Sequence, residues 1–254
     1  MGVPPLWIGT SGWHYPHWRG LFYPSDLSPS RWLAYYAQHF PTVELNAPFY
    51  RLPSERAVRS WAEGVPSGFR FAVKASRWIT HIKRLAGGAE LALFLERVRF
   101  LGKALGPILY QLPPTMRRDT QRLEGFLTRL PRDMCHAIEF RHPSWFCPEV
   151  YALLRRHGVA LCLVDMVGFS SPREATGDFL YVRFHGTGGL YWGSYTEETL
   201  RGWAWDLQAL SAGLRPIWAY FNNDAEAAAV HDALRLRALL EGKPPHPAQL
   251  PSKF

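Results

Sequence analysis

The stretch CHAIEFRHPSWFCPEVYALLRRHGVALCLVDM, residues 135–166, decides the fold. Its first part, 135–142, has the branched and aromatic residues of a strand, and an extended chain turns successive side chains to opposite faces. Ala137, Glu139 and Arg141 therefore share one face, and Ile138 and Phe140 share the other. PEVYALLRRHG then places apolar residues at helical spacing and closes on Gly158, a residue suited to ending a helix. VALCLVDM, 159–166, returns to a strand pattern. Strand, helix and strand in this order imply parallel strands with the helix as a crossover on one face.

The same unit recurs along the whole chain. Strand patterns fall at 6–13, 42–50, 69–76, 106–114, 135–142, 159–166, 178–186 and 216–224. Helix patterns separate or follow them: PSRWLAYYAQHF, opened by Ser28 and Pro29 and closed by Pro41, then SERAVRSWAEG, AELALFLERVRFLGKAL, DTQRLEGFLTRL, PEVYALLRRHG, TEETLRGWAWDLQAL and AEAAAVHDALRLRALL. In the third of these, Leu91, Phe94, Val98, Leu101 and Leu105 form one apolar stripe. VGFSSPREATG, between the sixth and seventh strands, lacks a helix and is an irregular connection. Eight parallel strands with helices between them predict an α/β fold, a TIM-type (β/α)8 barrel, and 254 residues is the usual size. The rival, an open doubly wound sheet, announces itself by a glycine-rich phosphate turn after its first strand. Gly9 and Gly12 stand there in GTSGWHYPHW, but aromatic residues and prolines follow, so no nucleotide-cofactor motif is present. The expected domain is residues 1–241, with GKPPHPAQLPSKF, 242–254, as a proline-rich tail.

Composition narrows the function classes. Hydrophobic residues at 47% and charged residues at 20% belong to a soluble globular chain, not a disordered or fibrous one. No apolar run approaches the roughly 20 residues of a membrane span, and MGVPPLWIGT lacks the basic start and apolar segment of a secretory signal. Cys135, Cys147 and Cys162 make neither a disulfide framework nor a zinc ribbon. A cytoplasmic protein without membrane association is expected. The net charge of +8 invites a polyanionic partner, but 24 arginines against five lysines, many on helix patterns such as Arg122, Arg155 and Arg156, read more simply as solvated faces.

In this fold chemistry sits at the carboxyl ends of the strands. Every strand ends in polar residues: Ser11, Trp13 and His14; Glu44 and Asn46; Lys74; Gln111; Glu139 and Arg141; Asp165; Arg183 and His185; Asn222, Asn223 and Asp224. Glu44 with Asn46, Glu139 with Arg141, and Arg183 with His185 are each two apart and so share a face, which predicts a charged barrel mouth. Ionised groups there are either paired with one another, Lys74, Arg141 and Arg183 neutralising Glu44 and Glu139, or used on a ligand.

Those strings also carry a resemblance. IGTSGWHYPHWRGLFYP, FPTVELNAPFYRLPSE, FRFAVKASRWITHIKRL, GPILYQLPP, EFRHPSW, YVRFHGTGGLYWGSY and YFNND resemble, in order and spacing, the motifs of the YecE-like family, domain of unknown function seventy-two. The resemblance spans residues 7 to about 240 and implies a TIM-type barrel in a mostly bacterial, soluble protein without a settled activity. It places motif residues on Gly12, Trp13, Phe49, Tyr50, Thr80, His81, His142, Tyr181, Gly186, Tyr191 and Tyr195 as well as on the charged set. The sequence departs from the pattern at Ala47 and Pro48 and at Asp224 and Ala225.

The expected protein is an enzyme acting on a phosphate-containing substrate, a sugar phosphate or a nucleic acid. Glu44, Lys74, Glu139, Asp165 and His185 are the candidate catalytic residues. Trp13, Asn46, Tyr50, Gln111, Arg141, Arg183, Gly186, Tyr191, Asn222 and Asn223 are the candidate substrate-binding residues. Arg141 and Arg183 suit a bidentate grip on phosphate, and the backbone N–H groups around Gly186, Gly188 and Gly189 suit the same anion. Lys74 suits an ion pair with a neighbouring carboxylate, with imine formation the alternative. A divalent metal is a candidate cofactor through Glu44, Glu139, Asp165 and His185, as in metal-dependent sugar isomerases and hydrolases. The remaining alternative is a non-catalytic nucleic-acid binder that stacks bases on Trp13, His14, His17, Trp18, Trp78, Tyr191, Trp192 and Tyr195.

Overall fold

A computed structural model describes residues 4–189, 191–212 and 215–243, so the 242–254 tail lies almost wholly outside the described residues. The strands are β1 (Leu6–Thr10), β2 (Thr42–Leu45), β3 (Arg70–Lys74), β4 (Leu105–Gln111), β5 (His136–Glu139), β6 (Ala160–Met166), β7 (Phe169–Ser170), β8 (Leu180–Phe184) and β9 (Ile217–Phe221). All but β7 pair in parallel, in the order β1-β9-β8-β6-β5-β4-β3-β2. A parallel bridge between Ser11 and Glu44, with the Gly12 N–H donating to the Glu44 carbonyl at 2.9 Å, joins β2 back to β1 and closes the barrel. The (β/α)8 architecture expected from the alternation is thus present.

Helices α1 (Trp32–His39), α2 (Ala47–Tyr50), α3 (Glu55–Glu63), α4 (Ala89–Arg99), α5 (Thr120–Leu127), α6 (Pro148–His157), α7 (Glu197–Ser211) and α8 (Ala228–Leu240) lie between or after the strands. Local chemistry sets their ends. Ser54, Asp119 and Thr196 cap α3, α5 and α7 by accepting a backbone N–H, and Gly158 ends α6 at φ 67° in the left-handed region. Two boundaries differ from the sequence pattern. The apolar stripe of the third pattern stops being helical at Arg99, because a turn over Gly102, at φ 55°, delivers Leu105 into β4. Helix α8 starts at Ala228 because Glu226 and Ala227 stand at φ 54° and 57°. The helix-free connection after β6 contains the two-residue β7, which pairs antiparallel with β6.

Strand alternation sorts side chains into two cores. Ile8, Val43, Phe71, Ile108, Ile138, Leu161, Val182 and Ala219 face outward into the layer under the helices. Ala72, Leu109, Ala137, Cys162, Tyr181 and Tyr220 fill the barrel, above Trp7 stacked on Trp218 at 4.9 Å. The small Ala72 and Ala137 make room for the two tyrosines. This filled lower interior leaves the next inward layer, at the carboxyl ends, to carry the polar residues.

Candidate functional site

Arg183 stands at the centre of that layer. Its Nη2 lies 2.9 Å from Glu44 Oε1 and its Nη1 2.9 Å from Glu139 Oε2, so one planar guanidinium ties two carboxylates from opposite parts of the barrel. Gln111 Oε1 accepts from the same Nη1 at 3.4 Å, and Nη2 also reaches Ser11 Oγ at 3.3 Å. Glu44 further accepts from Tyr181 OH at 2.6 Å and from Ser11 Oγ, which in turn accepts from Asn46 Nδ2 at 3.0 Å. Both carboxylates are 0% exposed and Arg183 is 1% exposed. Buried ions are tolerated only when each lone pair and proton is met, and this network meets nearly all of them.

Above it, Arg141 Nε donates to the second oxygen of Glu139, Nη1 to Met166 Sδ and Nη2 to His185 Nε2 at 2.9 Å. Burial alone would raise the Glu139 carboxyl, but Arg141 and then Arg183 hold it well below the usual carboxylate range. Burial, reinforced by Arg183, pushes His185 well below the usual imidazole range. A guanidinium can only donate, so His185 Nε2 is an acceptor towards Arg141, and Asn222 Nδ2 lies 3.2 Å from His185 Nδ1.

Lys74 is different. It is partly exposed, and among the described residues it makes no ion pair; its Nζ instead lies 4.1 Å from the centre of the Phe49 ring. His81 meets the same ring edge-on at 5.2 Å, with its Nδ1 at 2.8 Å from Thr80 Oγ1. It belongs to a single π-helical turn, Trp78–Ile82, after β3, a distortion that recurs at functional sites. Burial first, then Arg183, lower the Lys74 ammonium to about 8, against the opposing pull of Glu139 and Glu44.

Several expectations are corrected by this geometry. The ion pair expected of Lys74 is made by the two arginines instead: the Arg183 fork satisfies two carboxylates at once, and Arg141 takes the second oxygen of Glu139. Arg183, expected to grip phosphate, is sealed beneath the mouth. Asp165 leaves the site: Ala160, Cys162 and Val164 of β6 point inward, so Asp165 points outward and accepts from Trp203 Nε1 of α7. Glu44 and Glu139 are taken by arginines and Asp165 is on the other face, so the proposed metal set does not converge; no three His, Cys, Asp or Glu of the described residues are placed to hold an ion. Asn223 is likewise buried, donating to Asp232 Oδ2 at 2.8 Å and the Gly193 carbonyl at 2.9 Å. Trp13 packs edge-on against Trp61 of α3 at 6.4 Å. His142 accepts the Ser144 N–H and shapes the turn after β5.

The glycine loop after β8 is also engaged internally. Gly186 N–H donates to Tyr195 OH at 3.2 Å and Gly188 N–H to the Trp192 carbonyl at 3.1 Å, so neither is free for a phosphate. Gly186 sits at φ 94°, and a Cβ there would strike the Trp192 carbonyl. Replacing Gly186 with alanine is therefore expected to lower stability by about 1–2 kcal/mol in urea denaturation; an unchanged midpoint would show that the loop repacks freely. Tyr191, 43% exposed at φ 66°, lies with its ring 5.8 Å from that of His185, and Tyr50, 70% exposed, ends α2 after β2.

The structure thus brings together Glu44, Asn46, Lys74, Gln111, Glu139, Arg141, Arg183, His185 and Asn222. It adds Tyr181, Cys162, Met166, Phe49 and His81, which the strand-end pattern did not put forward. For Tyr181 a signal existed, since it lies two residues before Arg183 and shares its face.

Known proteins resemble this chain in sequence and in fold. The UPF0759 protein YunF of Bacillus subtilis is 25% identical over 270 residues, covering 93% of this chain and 95% of that protein. The UPF0759 protein YecE of Escherichia coli is 34% identical over 143 residues, covering 56% of this chain and 50% of that protein. A crystal structure of a DUF72 family protein from Thermotoga maritima superposes with a TM-score of 0.82 at 30% identity, over 93% of this chain and 99% of that one. With the model described as "Protein of unknown function DUF72" matching residues 7–253, the chain belongs to the DUF72 family.

Proposed function

We propose that the chain is an enzyme that takes a phosphate-containing substrate at the carboxyl-terminal mouth of its barrel. The observation that carries this reading is the charge inventory there. Lys74, Arg141 and Arg183 face Glu44 and Glu139, which leaves one positive charge in excess, and both carboxylates are buried below while Lys74 and Arg141 reach upward. A mouth with a surplus cation over neutralised carboxylates favours an anion. Three of the five guanidinium N–H groups of Arg141 are engaged, by Glu139, Met166 and His185, and the other two remain to donate to phosphate oxygens. The depth of these groups favours a small substrate such as a sugar phosphate.

A nucleic acid is the second reading, favoured by exposed Tyr50, Trp78 and Trp192 near the mouth, at 70%, 54% and 56% exposure. Binding of an oligonucleotide that weakens steeply with salt supports it.

Titration calorimetry with inorganic phosphate tests the main reading. Arg141→Ala leaves Glu139 paired with Arg183, so the fold is retained, and phosphate affinity is expected to fall about 10- to 100-fold. Equal affinity in the two proteins would remove the reading.

A further inference from the structure

We propose that Lys74 is the covalent catalytic residue of this site, its amine condensing with the carbonyl of a phosphorylated aldehyde or ketone to form an imine. This rests on the phosphate reading above and adds the reaction class to it.

Geometry sets Lys74 apart from the other cations of the mouth. Arg183 is locked between two carboxylates and Arg141 is held by Glu139, whereas Lys74 has no carboxylate within ion-pair distance among the described residues. A buried lysine is normally paired, since an unpartnered ammonium loses solvation with nothing to offset the loss. Here the inward end of β3 presents the amine to the mouth, partly exposed, with the apolar Phe49 face at 4.1 Å in place of a counter-ion. Guanidinium groups on the same layer oppose its protonation, and the free-amine form is the one that attacks a carbonyl. Exposed Lys83, by contrast, has a carboxylate partner in Glu90 at 3.8 Å.

The step balances without any further reagent. The Lys74 nitrogen lone pair forms a bond to the carbonyl carbon, and the C=O π pair moves to oxygen, which takes a proton as the nitrogen loses one. The resulting carbinolamine expels its hydroxyl as water after a second protonation, leaving a protonated imine. His81, neutral and set against the same Phe49 ring, makes no hydrogen bond through Nε2 among the described residues and can carry these protons there; burial lowers its imidazole and the Lys74 charge lowers it further. Arg141 holds the phosphate. The iminium then acidifies the neighbouring C–H, the entry to isomerisation or carbon–carbon cleavage.

The test treats the full-length protein with glycolaldehyde phosphate and borohydride at neutral pH, followed by peptide mapping of every lysine. Reduced adduct at Lys74 about tenfold above Lys83 and Lys103, absent from Lys74→Arg and suppressed by inorganic phosphate, supports both the imine and the phosphate reading. Equal labelling of Lys74 by unphosphorylated glycolaldehyde, unaffected by phosphate, supports the imine and removes the phosphate reading. Label spread evenly over the lysines, or an unlabelled Lys74 in protein that binds inorganic phosphate by calorimetry, overturns the imine while leaving phosphate binding intact.

Discussion

Replacing Arg183 with methionine is expected to cost about 3–5 kcal/mol in urea denaturation at pH 7, because it leaves a buried charge without its partner. The side chain is 1% exposed, and its removal strands Glu44 entirely and halves the pairing of Glu139, both 0% exposed. Arg141 still reaches Glu139, but among the described residues Glu44 keeps only the hydroxyls of Ser11 and Tyr181. The pH dependence separates lost charge pairing from lost packing. In the wild type the Glu139 carboxyl is held well below its unfolded value, so its stabilisation is present above that value and fades as pH falls through the folded one. In the variant that stabilisation is smaller, so the gap between the two proteins narrows on acidification. A gap that stays constant as pH falls below the unfolded glutamate value of 4.5 would assign the loss to packing. Replacing Glu44 by glutamine together with Arg183 by methionine is expected to recover part of the loss, because Glu139 then keeps Arg141 and no buried carboxylate is left without a partner.

Lys74→Met is expected to do the opposite and stabilise the protein by about 2–3 kcal/mol at pH 7. Lys74 titrates near 8 in the folded chain against 10.5 for an ordinary lysine, pushed down first by burial, then by Arg183, against the pull of Glu139 and Glu44, with Arg141 lowering it further; neighbouring His81 is neutral. Below 8 both folded and unfolded lysine carry the proton, and the folded state bears the whole cost of the buried charge. Between 8 and 10.5 the folded chain has released the proton and the unfolded chain has not, so wild-type stability climbs with pH. The advantage of the methionine variant should therefore be full below pH 8 and vanish near pH 10.5. A variant that is less stable at every pH would mean that the ammonium is stabilised by its ring contact instead. A destabilising group at a barrel mouth fits the covalent role proposed for Lys74.

Most of the fold was legible in the chain because each strand–helix unit repeats two simple periods. Where those periods failed, backbone conformation was responsible: Gly102, Glu226 and Ala227 at positive φ moved the boundaries of α4 and α8. The site was legible wherever a strand was polar on one face and apolar on the other. TVELN and YVRFH each separate charged from branched residues, and Glu44, Asn46, Arg183 and His185 all point inward. ALCLVDM is apolar on both faces, as parallel strands buried on both sides usually are, so nothing in it told which way Asp165 would turn. The glycine loop misled for a related reason: Gly186 serves a close approach to the Trp192 backbone, and the N–H groups of Gly186 and Gly188 are engaged inside the loop.

The amino-acid sequence by itself determined the barrel and the set of inward polar residues, because helix and strand periodicity are local properties of consecutive side chains. Which cation meets which carboxylate was decided only by the tertiary structure. Glu44, Glu139 and Arg183 come from strands far apart in sequence, and their pairing depends on register around a closed barrel and on the reach of each side chain. That pairing commits both carboxylates to arginines, leaving Lys74 alone beside Phe49.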